Sequence, residues 1–373
     1  MRRSMIAIAA ALLMTAGIPA ATAGPTQGGY ASDNVEFVAH VPFEVGTATG
    51  AKVVGKYLYV TSWKTFSIYD VSDPTAPQLI TTEPFGIKFE NEDVATNGEI
   101  LLFSEQLPQN ILHVWDVEDK SNPTEIATLA GGGGHTSDCI LNCTYSYSST
   151  GVIVDLRKPT APKIVGNWGK GMPATSAHDV NEVAPGRVLT SSNPIILLDG
   201  RKNPAKPKLV AVGQDKRVTG GIHSNQWPNT GEDDIVLFSS ESNFTGRCSG
   251  ANGAFMTWDG SDWKKTGTLR MLDIYQLNNG TYSDGQPAVN AMGCSAHWFE
   301  EHPTFDNGGL VVMGSYDHGT RFIDVSSKGK IKEVGYFIPY GGETSAAYWM
   351  TKDLVYSVDY TRGIDILKYN GKP

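Results

Sequence analysis

Short apolar runs, each closed by a turn, recur along most of this chain. Tyr57-Leu58-Tyr59-Val60 leads into Phe66-Ser67-Ile68-Tyr69-Asp70 and then Ser72-Asp73-Pro74. Leu112-His113-Val114-Trp115-Asp116 precedes Asn122-Pro123, and Gly151-Val152-Ile153-Val154-Asp155 precedes Pro159. Ile195-Ile196-Leu197-Leu198-Asp199 precedes Pro204, and Arg321-Phe322-Ile323-Asp324 is a later copy. Phe255-Met256-Thr257-Trp258-Asp259 and Ile364-Asp365-Ile366-Leu367 are more degenerate ones. Runs of four or five residues bounded by Gly, Asp and Pro predict β-strands and tight turns, not helices.

The clear copies end at Asp70, Asp116, Asp155 and Asp199, at intervals of 46, 39 and 44 residues. That is the length of a four-stranded blade, so the pattern predicts an all-β, seven-bladed β-propeller. The blades fall at 45–85, 86–130, 131–170, 171–214, 215–285, 286–340 and from 341 onward, with the largest insertion in the fifth. The recurring Asp has a scaffold role, bonding the turn backbone ahead of the Pro. The last blade lacks a fourth strand, and Val35-Glu36-Phe37-Val38-Ala39-His40-Val41 is a spare one. Adding it to the strand near Ile364–Leu367 closes the ring and removes an exposed edge.

Tyr69-Asp70-Val71-Ser72-Asp73-Pro74 and Val152-Ile153-Val154-Asp155 resemble the LVIVD repeat, which is found in many exported bacterial proteins. The resemblance implies a propeller and is nearly silent on activity, since the repeat defines blades and not a reaction.

The ends and the charge agree with export. Arg2 and Arg3 precede an apolar stretch, Met5 to Ile18, too short to span a bilayer, and Ala21-Thr22-Ala23 supplies a small-residue cleavage pattern. We expect a signal peptide over 1–23 cut after Ala23, a linker over 24–34, the propeller over 35–373, and a secreted product. The formal charge of −9 becomes −11 when Arg2 and Arg3 leave, a field that opposes nucleic acid and anionic lipid. No later segment is long and apolar enough to cross a membrane. Four cysteines in an exported chain predict disulfides. Of three pairings, Cys139–Cys143 around Ile140-Leu141-Asn142 with Cys248–Cys294 suits their settings best.

No phosphate-binding Gly loop and no Gly-x-Ser-x-Gly elbow occurs, so a nucleotide cofactor and serine hydrolysis lack support. Histidine placement is more informative. His135, His178, His223 and His297 each precede the first strands of blades three to six, at intervals of 43, 45 and 74 residues. Innermost strands line a propeller's channel, so these imidazoles are expected to converge on iron, copper, nickel or zinc. Glu92 holds the equivalent place in blade two and Glu343 opens blade seven; both are expected to orient ligands through their spare N–H groups. The site architecture is similar to that of the carotenoid oxygenases and of the selenium-binding protein and methanethiol oxidase family, though neither family's motifs occur. That likeness implies a metal-dependent oxidoreductase acting on a small molecule. The alternative is a non-catalytic propeller that binds an extracellular protein and uses these histidines structurally. His40, His113, His302 and His318 have no such positional logic, and Trp227, Trp298, Tyr348 and Trp349 are expected to pack between blades or line a funnel.

Overall fold

The computed structural model describes residues 28–42, 48–62, 64–86, 92–242, 248, 252–277 and 293–371. The expected signal peptide and parts of the insertion expected in 215–285 lie outside these residues. The described residues form six antiparallel-based sheets. Four-stranded meanders occupy 48–84, 95–129 and 137–167, each running outward in sequence order. Two more, 180–213 and 222–276, are joined through a short parallel pairing, Val212 opposite Thr268 and Gly213 opposite Leu269.

The meander 299–339 gains a fifth strand from Gly29–Ala31, which lies within the expected linker and pairs with Ile331–Pro339. The last meander, 344–369, supplies three strands of its own. Val35–Val41 completes it, with Val35 opposite Tyr369 and Val41 opposite Ile364. Beyond that pairing the Asn370 N–H donates to the Asn34 carbonyl at 2.8 Å.

The first strands of the meanders pack side by side in chain order: Ala48–Val54, Ala95–Thr96, Ser137–Ile140, Val180–Ala184, Ile222–Gln226, Phe299–Glu301 and Thr344–Trp349. The last of these returns to the first, so the ring closes. Second and third strands lie between neighbouring sheets and are buried on both faces, which explains continuous runs such as Ile195–Asp199. Outermost strands such as Lys163–Asn167 meet solvent, Ile164 and Val165 included. The apolar cores therefore sit between sheets: Leu58, Val60 and Tyr69 pack with Ala346, Tyr356 and Ile364 of the adjoining one.

The recurring Asp does bond the turn. Asp70 accepts from the Ser72 N–H at 2.8 Å, Asp116 from Glu118 at 3.0 Å, Asp155 from Arg157 at 3.0 Å and Asp199 from Arg201 at 3.1 Å. Asp365 departs from this use, meeting His40 at 2.7 Å and Arg362 at 2.6 Å. His40 thus ties the added strand Val35–Val41 to its partner. Two disulfides are present, Cys139–Cys143 and Cys248–Cys294, with Cα separations of 4.3 and 5.4 Å.

Candidate metal centre

Each channel histidine is fixed by the start of an inner strand. His135, His178 and His297 lie two residues ahead of theirs, and His223 is the second residue of Ile222–Gln226. The His178 N–H donates to Ser191 at 2.9 Å and the His297 N–H to Gly314 at 2.9 Å, extending the pairing past the strand ends. Adjacent sheets lock these segments to each other. The Thr136 hydroxyl donates to the His178 carbonyl at 2.8 Å, and the Ser224 hydroxyl to the His297 carbonyl at 3.2 Å.

The four rings form an arc, with successive centroids 4.2, 4.0 and 3.9 Å apart. Glu92 stands inside the arc. Its Oε1 is 2.8 Å from His297 Nε2 and 3.7 Å from His223 Nε2. Its Oε2 is 2.8 Å from His135 Nε2 and 3.6 Å from His178 Nε2. Glu92 therefore faces the inward nitrogens and is not an acceptor behind them, as the sequence reading has it. The outer positions belong to other groups: the Ser345 carbonyl is 2.6 Å from His297 Nδ1, and Gln106 Oε1 is 3.3 Å from His135 Nδ1. Glu343 is buried at the start of the last sheet, outside these groupings.

Hydrogen-bond accounting leaves a place for a cation or a shared proton among these groups. The Ser345 carbonyl only accepts, so His297 Nδ1 carries a proton, and Nε2 meets Glu92 either as the second N–H of an imidazolium or across a cation. Two acceptors at 2.8 Å call for a shared proton or a metal between them. His223 is fully buried and neither of its ring nitrogens has a hydrogen-bond partner. Structural histidines in this chain behave differently. His113 bonds Glu125 and Glu105, and His302 bonds Thr304 and the Lys352 carbonyl, using both nitrogens each time. His318 pairs with Asp317. Burial, then the neighbouring His223 and His135, hold His178 well below the usual imidazole range, and burial and His297 lower His223. In both the neutral form, which binds metal, is thereby favoured. Burial raises the Glu92 carboxyl, but His297 and His135 outweigh it and keep it well below the usual range.

Three groupings bring metal-ligating atoms within 4.8 Å of one another: Glu92 with His223 and His297, Glu92 with His135 and His178, and Glu241 with His178 and His223. Glu241 escapes a reading confined to inner strands, because it follows the second strand of its sheet, Ile235–Ser240. Tyr316 donates to Glu241 at 2.6 Å and Tyr360 to Glu92 at 3.2 Å. Tyr316 is buried with φ 48°, an uncommon left-handed conformation for a large side chain. Two glycines permit close approaches here. A Cβ at Gly50 would lie 2.2 Å from the Glu92 carbonyl, and one at Gly314 2.6 Å from the Ser345 carbonyl.

Beneath the imidazoles lies a cavity of about 180 Å³, lined among others by Lys52, Asp93, Asp138, Asp179, Trp298 and Tyr348. Burial and Asp138 push the Asp93 carboxyl up to about 7. Of the remaining aromatic candidates, Trp227 packs on Trp263 and Trp349 on His302, both away from the metal-ligating groupings. No helix of the described residues is long and apolar enough to cross a membrane.

The LVIVD repeat matches residues 45–82, most of which lie in the first meander, 48–84. The chain carries an LVIVD repeat. No curated protein matches the sequence. Among solved structures, this chain is similar to the β-propeller domain of Cps50 (Swd1) from Myceliophteria thermophila. That match has 14% identity and a TM-score of 0.59 over 87% of this chain and 98% of that one. It is also similar to the computationally designed protein Ika8, at 12% identity and a TM-score of 0.52, over 89% and 99%. At such identities the likeness shows only the fold of this chain: an all-β propeller.

Proposed function

We propose that this chain is an exported seven-bladed propeller that binds a first-row transition metal in its channel through His135, His178, His223, His297 and Glu92. The blade count rests on the seven first strands that pack around the ring. Two disulfides and the Arg2–Ala23 pattern support export. One observation carries the metal reading: a single buried carboxylate lies within 3.7 Å of all four inward ring nitrogens. Borderline imidazole ligands suit iron, copper, nickel or zinc, and a hard carboxylate completes the set.

The reading extends to an oxidoreductase acting on a small molecule. His135 and His178 keep 21% of their side chains exposed while His223 and His297 keep none, so substrate reaches the metal from the first pair. A non-catalytic scaffold with structural histidines is the competing account. It predicts satisfied rings such as His113 and His302, which His223 is not. Metal analysis of untagged protein tests the proposal. Metal retained through dialysis supports it, and a protein that holds none after exposure to iron, copper, nickel and zinc overturns it.

A further inference from the structure

We infer that the channel holds two metal ions bridged by Glu92, a conclusion that rests on the metal reading above. Ligands on one ion at about 2.1 Å can lie no more than about 4.2 Å apart. Among the described residues, no grouping brings more than two of the four imidazoles within 4.8 Å of each other and of a shared carboxylate. The histidines instead divide into pairs, and the Glu92 carboxylate divides with them. Oε1 faces His297 and His223, and Oε2 faces His135 and His178. Each half is a two-histidine, one-carboxylate set, a donor group suited to divalent iron and its neighbours with positions left open.

A carboxylate that gives one oxygen to each ion spaces two metals about 3.5–4 Å apart. Glu241 extends the pattern from the other side, because its grouping takes one imidazole from each pair, His178 and His223. Its Oε2 lies 3.8 Å from His178 Nε2, and the Tyr316 hydroxyl fixes its other oxygen. The two carboxylates thus link the same two halves. Tyr360, donating to Glu92 Oε1, orients the bridge.

The test is a titration of chelator-stripped, full-length mature protein with Mn(II) alone, read by bound metal per chain and by electron paramagnetic resonance. The inference expects saturation at two ions per chain and an exchange-coupled spectrum. His297→Ala and His135→Ala should each fall from two ions to one, with the isolated-ion six-line signal, because each removes a ligand from a different half. Glu92→Gln should lose the coupling. Circular dichroism confirms that each variant is folded, and a misfolded one is replaced by the Gln substitution at the same histidine. Saturation of the unaltered protein at one ion, or complete loss of metal in both folded histidine variants, overturns the two-ion centre and leaves the metal reading standing. A protein that binds no Mn(II), iron, copper, nickel or zinc overturns both.

Discussion

A fully buried imidazole with neither nitrogen bonded costs free energy unless something occupies its lone pair, on the order of 1–3 kcal/mol for each unsatisfied group. His223 is such a residue, so its replacement should release metal and little else. For His223→Ala we expect metal content to fall by at least half, measured by elemental analysis, with an unchanged far-ultraviolet circular dichroism spectrum. Gly50 gives a second residue-scale test, since a methyl group there collides with the Glu92 carbonyl. Gly50→Ala should weaken metal binding at least tenfold in a competition titration, although Gly50 touches no metal. Glu300 supplies a pH test. Burial pushes its carboxyl up to about 8 from 4.5, against the opposing effect of the Trp349 N–H that it accepts at 2.6 Å. Between those values the folded chain holds a proton that the unfolded chain has released, so stability falls as pH rises from about 4.5 through 8. Melting temperatures across that range should show this decline in the unaltered protein and a flatter profile in Glu300→Gln. Position at the inner strands was enough to group the four histidines with Glu92, which the structure brings close together, but it put Glu92 behind the imidazoles. Glu241, Tyr316 and Gln106 were not legible, because they come from strand ends and turns whose direction depends on the packing of neighbouring sheets.

Strands were the most legible level of this sequence, since residues pressed between two sheets must be apolar on both faces and stand out as unbroken runs. Ile195–Asp199 is of this kind. Gly29–Ala31 escaped notice because its three residues carry no apolar alternation and their order comes from pairing with Ile331–Pro339. Removing residues through Val41 strips the last meander of its fourth strand and exposes the edge of Gly363–Tyr369. We expect a fall in melting temperature on the order of 10 °C together with self-association on gel filtration. The disulfides differ in the length of chain they close, with sequence separations of 46 for Cys248–Cys294 and 4 for Cys139–Cys143. Chain entropy predicts losses of about 4 and about 2 kcal/mol when each is replaced by a pair of serines, measured by denaturant unfolding. The larger loss should also lower metal affinity, because Cys294 anchors the segment that leads into His297.

At the scale of the whole molecule, the proposed ligands come from the starts of five consecutive meanders, from Glu92 to His297. Metal binding therefore draws on the closed ring and should stabilise it. With free metal about a thousandfold above its dissociation constant, the gain is about 4 kcal/mol, and chelation should lower the melting temperature accordingly. The hydrogen bond from Asn370 to Asn34 has a different consequence. It holds Asn34 and Asn370 side by side, so in a chain trimmed to residues 34–370 a linker of a few residues would close a covalent circle that lacks only the strand Gly29–Ala31. Such a circle reopened at Thr150-Gly151, in the turn between the second and third strands of 137–167, would be a circular permutant with every ligand in place.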